Sequence, residues 1–380
     1  MKLCALLLVA LAIIIPASAQ NEADSQSKNP GIGTVTVTTA LGGQIFGFDV
    51  DASGTEGLLT EAQTLSNGNT LNAVETFDQA TGKIIQIVKQ SQTKDEDVTL
   101  GVASKGVGLV EHDHVTGVFV TSRTYRVLNP VSSNKFDAVW TPGLAQDDII
   151  LQVSRSQGQP NNAVFAFENG GDDHSFVFST NIAKNTVGPF VTLTDTLFDF
   201  GTSPQMAYNY KTNQAILAAS TGAVFGPPPT VAIADLTSGT VTEFTGVGAG
   251  FINGLAVDSV DGVACTTTEL DVNVEFYDLA NQTGFPIRLP NATNQLQSGA
   301  DVEFDPVHKL FFVAQPVSSS AASGSTIYIF NPKGSLVRTM NGFNFSNASA
   351  VIPVHIALNP KTRSGYVDGP TVNQLQSFTY

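Results

Sequence analysis

Along the chain, short apolar runs alternate with polar residues at period two and stop at an Asp or Asn; a tight turn and a second β-branched or aromatic run follow. ADVEFDPVHKLFFVAQP, residues 300–316, shows the unit, and LAVDSVDGVACTTT (255–268), MAYNYKTNQAILAAS (206–220) and IALNPKTRSGYVDG (356–369) repeat it. Asp51, Asp113, Asn209, Asp258, Asp305 and Asn359 serve as anchors, spaced 62, 96, 49, 47 and 54 residues apart. The longest gap is about twice the others, which places one degenerate copy at 147–167 and makes seven copies. Four residues after most anchors stands Gly117, Asn213, Gly262 or Lys309. An Asp or Asn side chain folds onto the backbone two residues on, and Gly or Asn accepts the left-handed conformation that closes such a turn. Each copy therefore predicts a hairpin.

A second turn of the same chemistry follows in FDQATGK (Asp78), LNPVSSN (Asn129), ADLTSGT (Asp235), YDLANQTG (Asp278) and FNPKGS (Asn331). Each copy then has four strands, with short turns after the first and third and a longer, irregular link between the second and third, as at 219–230 and 315–326. Four-stranded units at this period predict an all-β, seven-bladed β-propeller of four antiparallel strands per blade. The openings "apolar-x-apolar-Asp" and the third strands VAIADLTSGTV and IYIFNPKGSLV resemble the YVTN and NHL propeller repeats over nearly all of residues 32–380. That resemblance implies the fold and leaves activity open, because such repeats carry many functions. The last copy supplies three strands, about 356–359, 364–368 and 374–380, while TVTVTT (34–39) belongs to no copy. Pairing the two would close the ring and hide two sheet edges.

The first residues change the picture of where the protein works. Lys2, the apolar run Leu6 to Ile15 and Ala17-Ser18-Ala19 predict a signal peptide over 1–19, followed by a flexible polar leader over 20–31. A secreted protein is expected, extracellular or, in a bacterium, periplasmic. No later run approaches the roughly 20 residues of a membrane span. The formal charge of −15, or −16 once Lys2 leaves, disfavours nucleic acid and anionic lipid as partners. With 13% charged residues the chain is a folded β protein, expected to be a monomer. Of its two cysteines Cys4 leaves with the signal, and Cys265 is expected as a buried, inert thiol.

Candidate chemistry sits two and four positions before the anchors, on the strand face turned to the ring axis. Asp49, Glu111, Asp301, Glu303, Gln205 and His355 are the polar residues there, against small or apolar neighbours elsewhere in the stripe. Carboxylates brought together would bind a cation or shift their pKa values. Ca²⁺ or another divalent cation suits the oxygens and Zn²⁺ suits His355, so Asp301 and His355 are the candidate metal pair. The competing reading is a water-lined channel. His112 is expected in the core and His114 and His308 in solvated turns; Gly170 to Asp173 forms an Asp-rich turn before His174. Sequons stand at Asn281, Asn291, Asn344 and Asn347. No Gly-x-Ser-x-Gly, His-Glu-x-x-His, dinucleotide or phosphate loop is present. Two functions follow. A binding module would hold a protein or carbohydrate on the variable-loop face. A metal-dependent propeller enzyme resembling lactonases or amidating lyases would use the channel, although lyases want several channel histidines and only His355 is so placed.

Overall fold

The computed structural model describes residues 31–380 except 53, 92–99, 104–106, 117–118, 129–137, 141–147, 156–160, 170–173, 185, 195–197, 199–204, 221–226, 249, 269–271, 291–300, 316, 319–324, 344–345, 348–353 and 370–371; over 100–153 it describes the course of the backbone. After β1 (Gly31–Thr38), an antiparallel sheet forms from β2 (Gln44–Val50), β3 (Glu56–Thr64), β4 (Thr70–Asp78) and β5 (Ile84–Ser91). The next holds β6 (Leu100–Ala103), β7 (Val107–Thr116), β8 (Phe119–Leu128) and β9 (Ala138–Trp140). β10 (Asp148–Arg155), β11 (Asn162–Asn169) and β12 (His174–Asn181) follow, and both β13 (Thr186–Val187) and β14 (Val191–Thr192) pair with β12.

Two regular sheets come next: β15 (Gln205–Asn209), β16 (Gln214–Ala219), β17 (Thr230–Asp235) and β18 (Val241–Thr245), then β19 (Ile252–Asp258), β20 (Val263–Thr268), β21 (Asn273–Asp278) and β22 (Thr283–Arg288). In the following sheet β23 (Asp301–Asp305) and β24 (Leu310–Gln315) join β26 (Ser325–Phe330) and β27 (Leu336–Phe343), while β25 (Val317–Ser318) and β28 (Ser346–Asn347) form a small parallel pair beside it. The last sheet has the order β1-β31-β30-β29, from β29 (Ile356–Asn359), β30 (Ser364–Gly369) and β31 (Val372–Thr379). The N-terminal strand thus closes the ring as expected.

First strands of successive sheets lie side by side, from β2 through β6, β10, β15, β19, β23 and β29 back to β2. The core lies between neighbouring sheets. Val37, Phe48, Leu59, Phe77, Tyr366 and Leu375 pack across the closure, and Phe276, Phe304, Phe311 and Phe330 pack two interfaces earlier in the ring. Full burial of each such side chain is worth roughly 1.5–3 kcal/mol. The fold is an all-β propeller with six regular four-stranded blades. The expected seven equal blades are corrected by the sheet at 148–192, which carries five strands: Pro189 lacks the N–H that would continue its edge strand, so that edge breaks into β13 and β14.

Two further expectations are corrected. Glu111 and Asp113 lie on β7, the second strand of its sheet; the first strand is the short β6, which no Asp or Asn anchor marks. The link between second and third strands is not always long, because Gly68 (φ 81°) lets residues 65–69 turn tightly between β3 and β4.

Elsewhere the turn chemistry holds. Asn209, Asp258, Asp305 and Asn359 each accept, through Oδ1, the amides two and three residues on. Asn213, Gly262, Lys309 and Arg363 close the turns with φ between 52° and 68°. Gly117 lies outside the described residues. The turns also lock neighbouring blades: Asn359 Nδ2 donates to Gln79 Oε1 (2.7 Å), and the Tyr380 hydroxyl donates to the buried Asp305 Oδ2 (2.7 Å).

Candidate functional site

Three neighbouring first strands, β23, β29 and β2, bring together four of the six candidate residues. Asp301 opens β23. Its Oδ1 accepts the Val302 amide at 2.8 Å and its Oδ2 reaches across the blade interface to the Ile356 amide at 3.0 Å. The approach depends on Gly254 of β19, where a Cβ would stand 2.8 Å from Asp301 Oδ1. His355, just ahead of β29, donates its backbone N–H to Asp368 Oδ1 (2.6 Å), and its Nδ1 lies 3.2 Å from Asp368 Oδ2. Glu303 follows Asp301 on the same strand face, and Asp49 approaches from β2.

Electrostatics follow from this crowding. Burial raises the Asp301 carboxyl to about 6, although His355 and two amides oppose the rise. Burial raises Glu303 well above the usual carboxylate range, and Asp49 and Asp301 raise it further. Burial alone would lower His355, but the Asp368 and Asp301 carboxylates outweigh it and bring the imidazole to about 9. The cluster therefore holds its charge as an imidazolium between Asp301 and Asp368, with Glu303 protonated.

That chemistry fits a divalent cation poorly. Both Asp301 oxygens are used by amides, the His355 nitrogen nearest Asp368 is engaged, and an imidazolium is no ligand. Among the described residues no group of three or more His, Cys, Asp or Glu side chains is arranged to hold a metal ion. Gln205 is half-buried on β15, with β19 between it and β23, and Glu111 sits on β7; neither belongs to the first strands that form the cluster.

Asp368, not singled out from sequence, is the residue that fixes His355. The register pairs Ile356 with Val367, so counting one step outward across the hairpin would have found it. His308 is likewise more than a solvated turn residue: its Nδ1 is 2.7 Å from Asp305 Oδ2, and its ring meets Tyr380 edge-on. Cys265 is fully buried, and burial raises its thiol well above the usual range, as an inert thiol requires. The Gly170 to Asp173 turn lies outside the described residues, and His174 is exposed.

Beside the cluster, on the side of the first turns, a cavity of about 120 Å³ is lined by Tyr208, Tyr210, Leu255, Asp258, Glu303 and Pro306, among others. It draws its walls from four sheets, with Ser154 of β10 added to residues of the β15, β19 and β23 sheets.

No family model matches the chain, and no curated protein matches it. Solved structures do. "Structure of U3-55K" aligns with 92% of this chain and 100% of that one at 9% identity and a TM-score of 0.59. "Crystal structure of Chaetomium thermophilum Raptor" aligns with 92% of this chain and 29% of that one at 12% identity and a TM-score of 0.59. The likeness is one of fold.

Proposed function

We propose that this chain is a secreted, monomeric binding module that holds a protein or carbohydrate partner on the face carrying the links between second and third strands. The observation that carries this reading is the engagement of Asp301 and His355: Asp301 accepts the Val302 and Ile356 amides on its two oxygens, and His355 turns its backbone N–H and its Nδ1 to Asp368. A rigid ring whose inner polar groups are structural is a scaffold for surface recognition. In the same reading residues 1–19 are a signal peptide and the repeats are of YVTN or NHL type.

The metal-dependent alternative needs Asp301 and His355 as ligands, which their present partners oppose. Metal analysis by mass spectrometry of the purified full chain separates the two readings. A binding module is expected to carry far less than one divalent ion per chain and to keep its folded signature in Asp301→Asn. One ion per chain in the wild type, lost in Asp301→Ala and His355→Ala, would overturn it. Exchange of 219–230 or 315–326, stretches largely outside the described residues, is the matching change for binding: it should abolish capture of glycans or proteins on an array while leaving the melt intact.

A further inference from the structure

We propose that the cavity among the turns 209–213, 258–262 and 305–309 binds a primary alkylammonium group, the chemistry of a lysine side chain or of a small free amine. This deepens the binding reading and rests on it, but it names a separate site, on the side of the ring opposite the links between second and third strands.

Several independent observations converge. The cavity, at about 120 Å³, has room for about four waters, or for an ammonium and a short alkyl stem. Its walls combine aliphatic and aromatic surface, from Leu255, Pro306 and Tyr210, with two carboxyl groups, Asp258 and Glu303. Asp258 is 1% exposed, and although its Oδ1 accepts the Val260 and Asp261 amides at 2.9 and 3.2 Å, its buried Oδ2 has no N–H donor, and the side chain's other neighbour is the Asp261 carboxyl. A buried carboxylate oxygen without a donor costs free energy that a ligand N–H would recover. Tyr210 already attracts a cation, since Lys211 Nζ stands 5.4 Å from its ring centroid, and an ammonium in the cavity would meet the same electron-rich ring system. Lys309, in the turn after β23, is held by Asp261 at 2.8 Å and donates no hydrogen bond to Asp258 Oδ2. The formal charge of −15 favours the approach of a cation.

Protonation gives the site a pH sense. Asp49 from β2, Asp301 and Asp305 from β23 and burial all favour the protonated form of Glu303, while His355 offsets the charge of Asp301. An incoming ammonium favours the carboxylate instead, so binding releases a proton and strengthens as pH rises.

Isothermal titration calorimetry of the full chain tests this with three probes: n-butylammonium chloride, Nα-acetyl-lysine methylamide, and the same compound acetylated at Nζ. The charged probes should bind saturably, compete with each other, and bind at least about tenfold more tightly than the acetylated one. Asp258→Asn should weaken them about tenfold and Tyr210→Leu should weaken them severalfold. Asp258→Asn is expected to fold, because Asn209 and Asn359 hold the same turn elsewhere in the ring. Affinity should rise from pH 6 to pH 8.5 in the wild type and lose that dependence in Glu303→Gln. Binding of both charged probes supports a lysine-bearing partner, and binding of n-butylammonium alone supports a free amine. Absence of saturable binding by either, equal affinity for the acetylated probe, or unchanged affinity in a folded Asp258→Asn would overturn the proposal; a metal-free chain that fails here still keeps the broader binding reading.

Discussion

Removing residues 32–40 is expected to abolish the cooperative unfolding transition, not merely to lower its midpoint. β1 pairs with β31 from Gly31↔Thr379 to Thr38↔Gln374, so the deletion opens the edge on which the ring closes. Val37, fully buried against the closure core, would leave a cavity, and the Ser377 hydroxyl would lose the Val35 carbonyl it donates to at 2.7 Å. The heavier loss is electrostatic. The loop after β1 donates the Leu41 and Gly43 amides to Glu61 at 2.8 Å each and the Ala40 amide to Glu75 at 3.1 Å, and both glutamates are buried. The deletion removes the Ala40 amide and frees the chain that holds Leu41 and Gly43 in place; each buried carboxyl oxygen left without a donor costs roughly 1–3 kcal/mol, against a total stability of about 5–15 kcal/mol for a domain. A circular-dichroism melt should broaden into a non-sigmoidal loss of signal. A sharp transition within a few degrees of the wild type would contradict the closure described here.

Stability is expected to fall as pH rises from about 4.5 to 9, the reverse of ordinary acid denaturation. Glu75 is a large contributor, beside Glu303, which burial raises well above the usual carboxylate range. Burial, and a hydrogen bond shared with Glu61, raise Glu75 from 4.5 to about 8 against the opposing Ala40 amide. A carboxyl raised on folding binds its proton more tightly in the native state, so its contribution is fully present below about 4.5 and is lost as pH passes 8. Asp301 acts in the same direction up to about 6, and His355, raised from 6.5 to about 9, acts in it over the higher range. The lowered carboxylates Asp235, Asp261 and Asp278 oppose this only in the acid range. Glu75→Gln keeps a donor for Glu61 and removes the ionisation. It should therefore match the wild type near pH 4.5 and exceed it at pH 8.5 by on the order of a few kcal/mol. Urea unfolding at the two pH values decides the matter. An equal loss at both, or a wild type that grows more stable with pH, would contradict it.

Which parts of this could be read from the residues follows from how local their causes are. The Asp258 and Asn359 turns were legible because side chain, amides and left-handed residue lie within five positions. The same logic misplaced Glu111: Asp113 lies inside the long strand β7, paired with Arg123 of β8, whereas the true first strand, β6, is four residues long and anchorless. The broken edge at Pro189, where two short strands replace one, was not read from the residues at all.

At the site, Asp301, Glu303, Asp49 and His355 could be found by period-two counting. The outcome of their meeting could not. Whether Asp301 meets a metal or the Ile356 amide depends on the stagger between β23 and β29, 55 residues apart, and on Gly254 clearing the way. The cavity was invisible for the same reason, since Tyr210, Asp258 and Pro306 belong to turns of three different sheets.

In the proposed reading the inner-strand acids are structural groups, held neutral or paired, and not an anionic metal or catalytic cluster. Carboxyl ¹³C NMR of Glu303 tests it most directly, on the full chain in amine-free buffer at pH 7. Assigned by comparison with Glu303→Gln, its carboxyl carbon should show the shift of a protonated acid and move only well above the ordinary glutamate range. A carboxylate shift at pH 7 that titrates near 4.5 would contradict the claim.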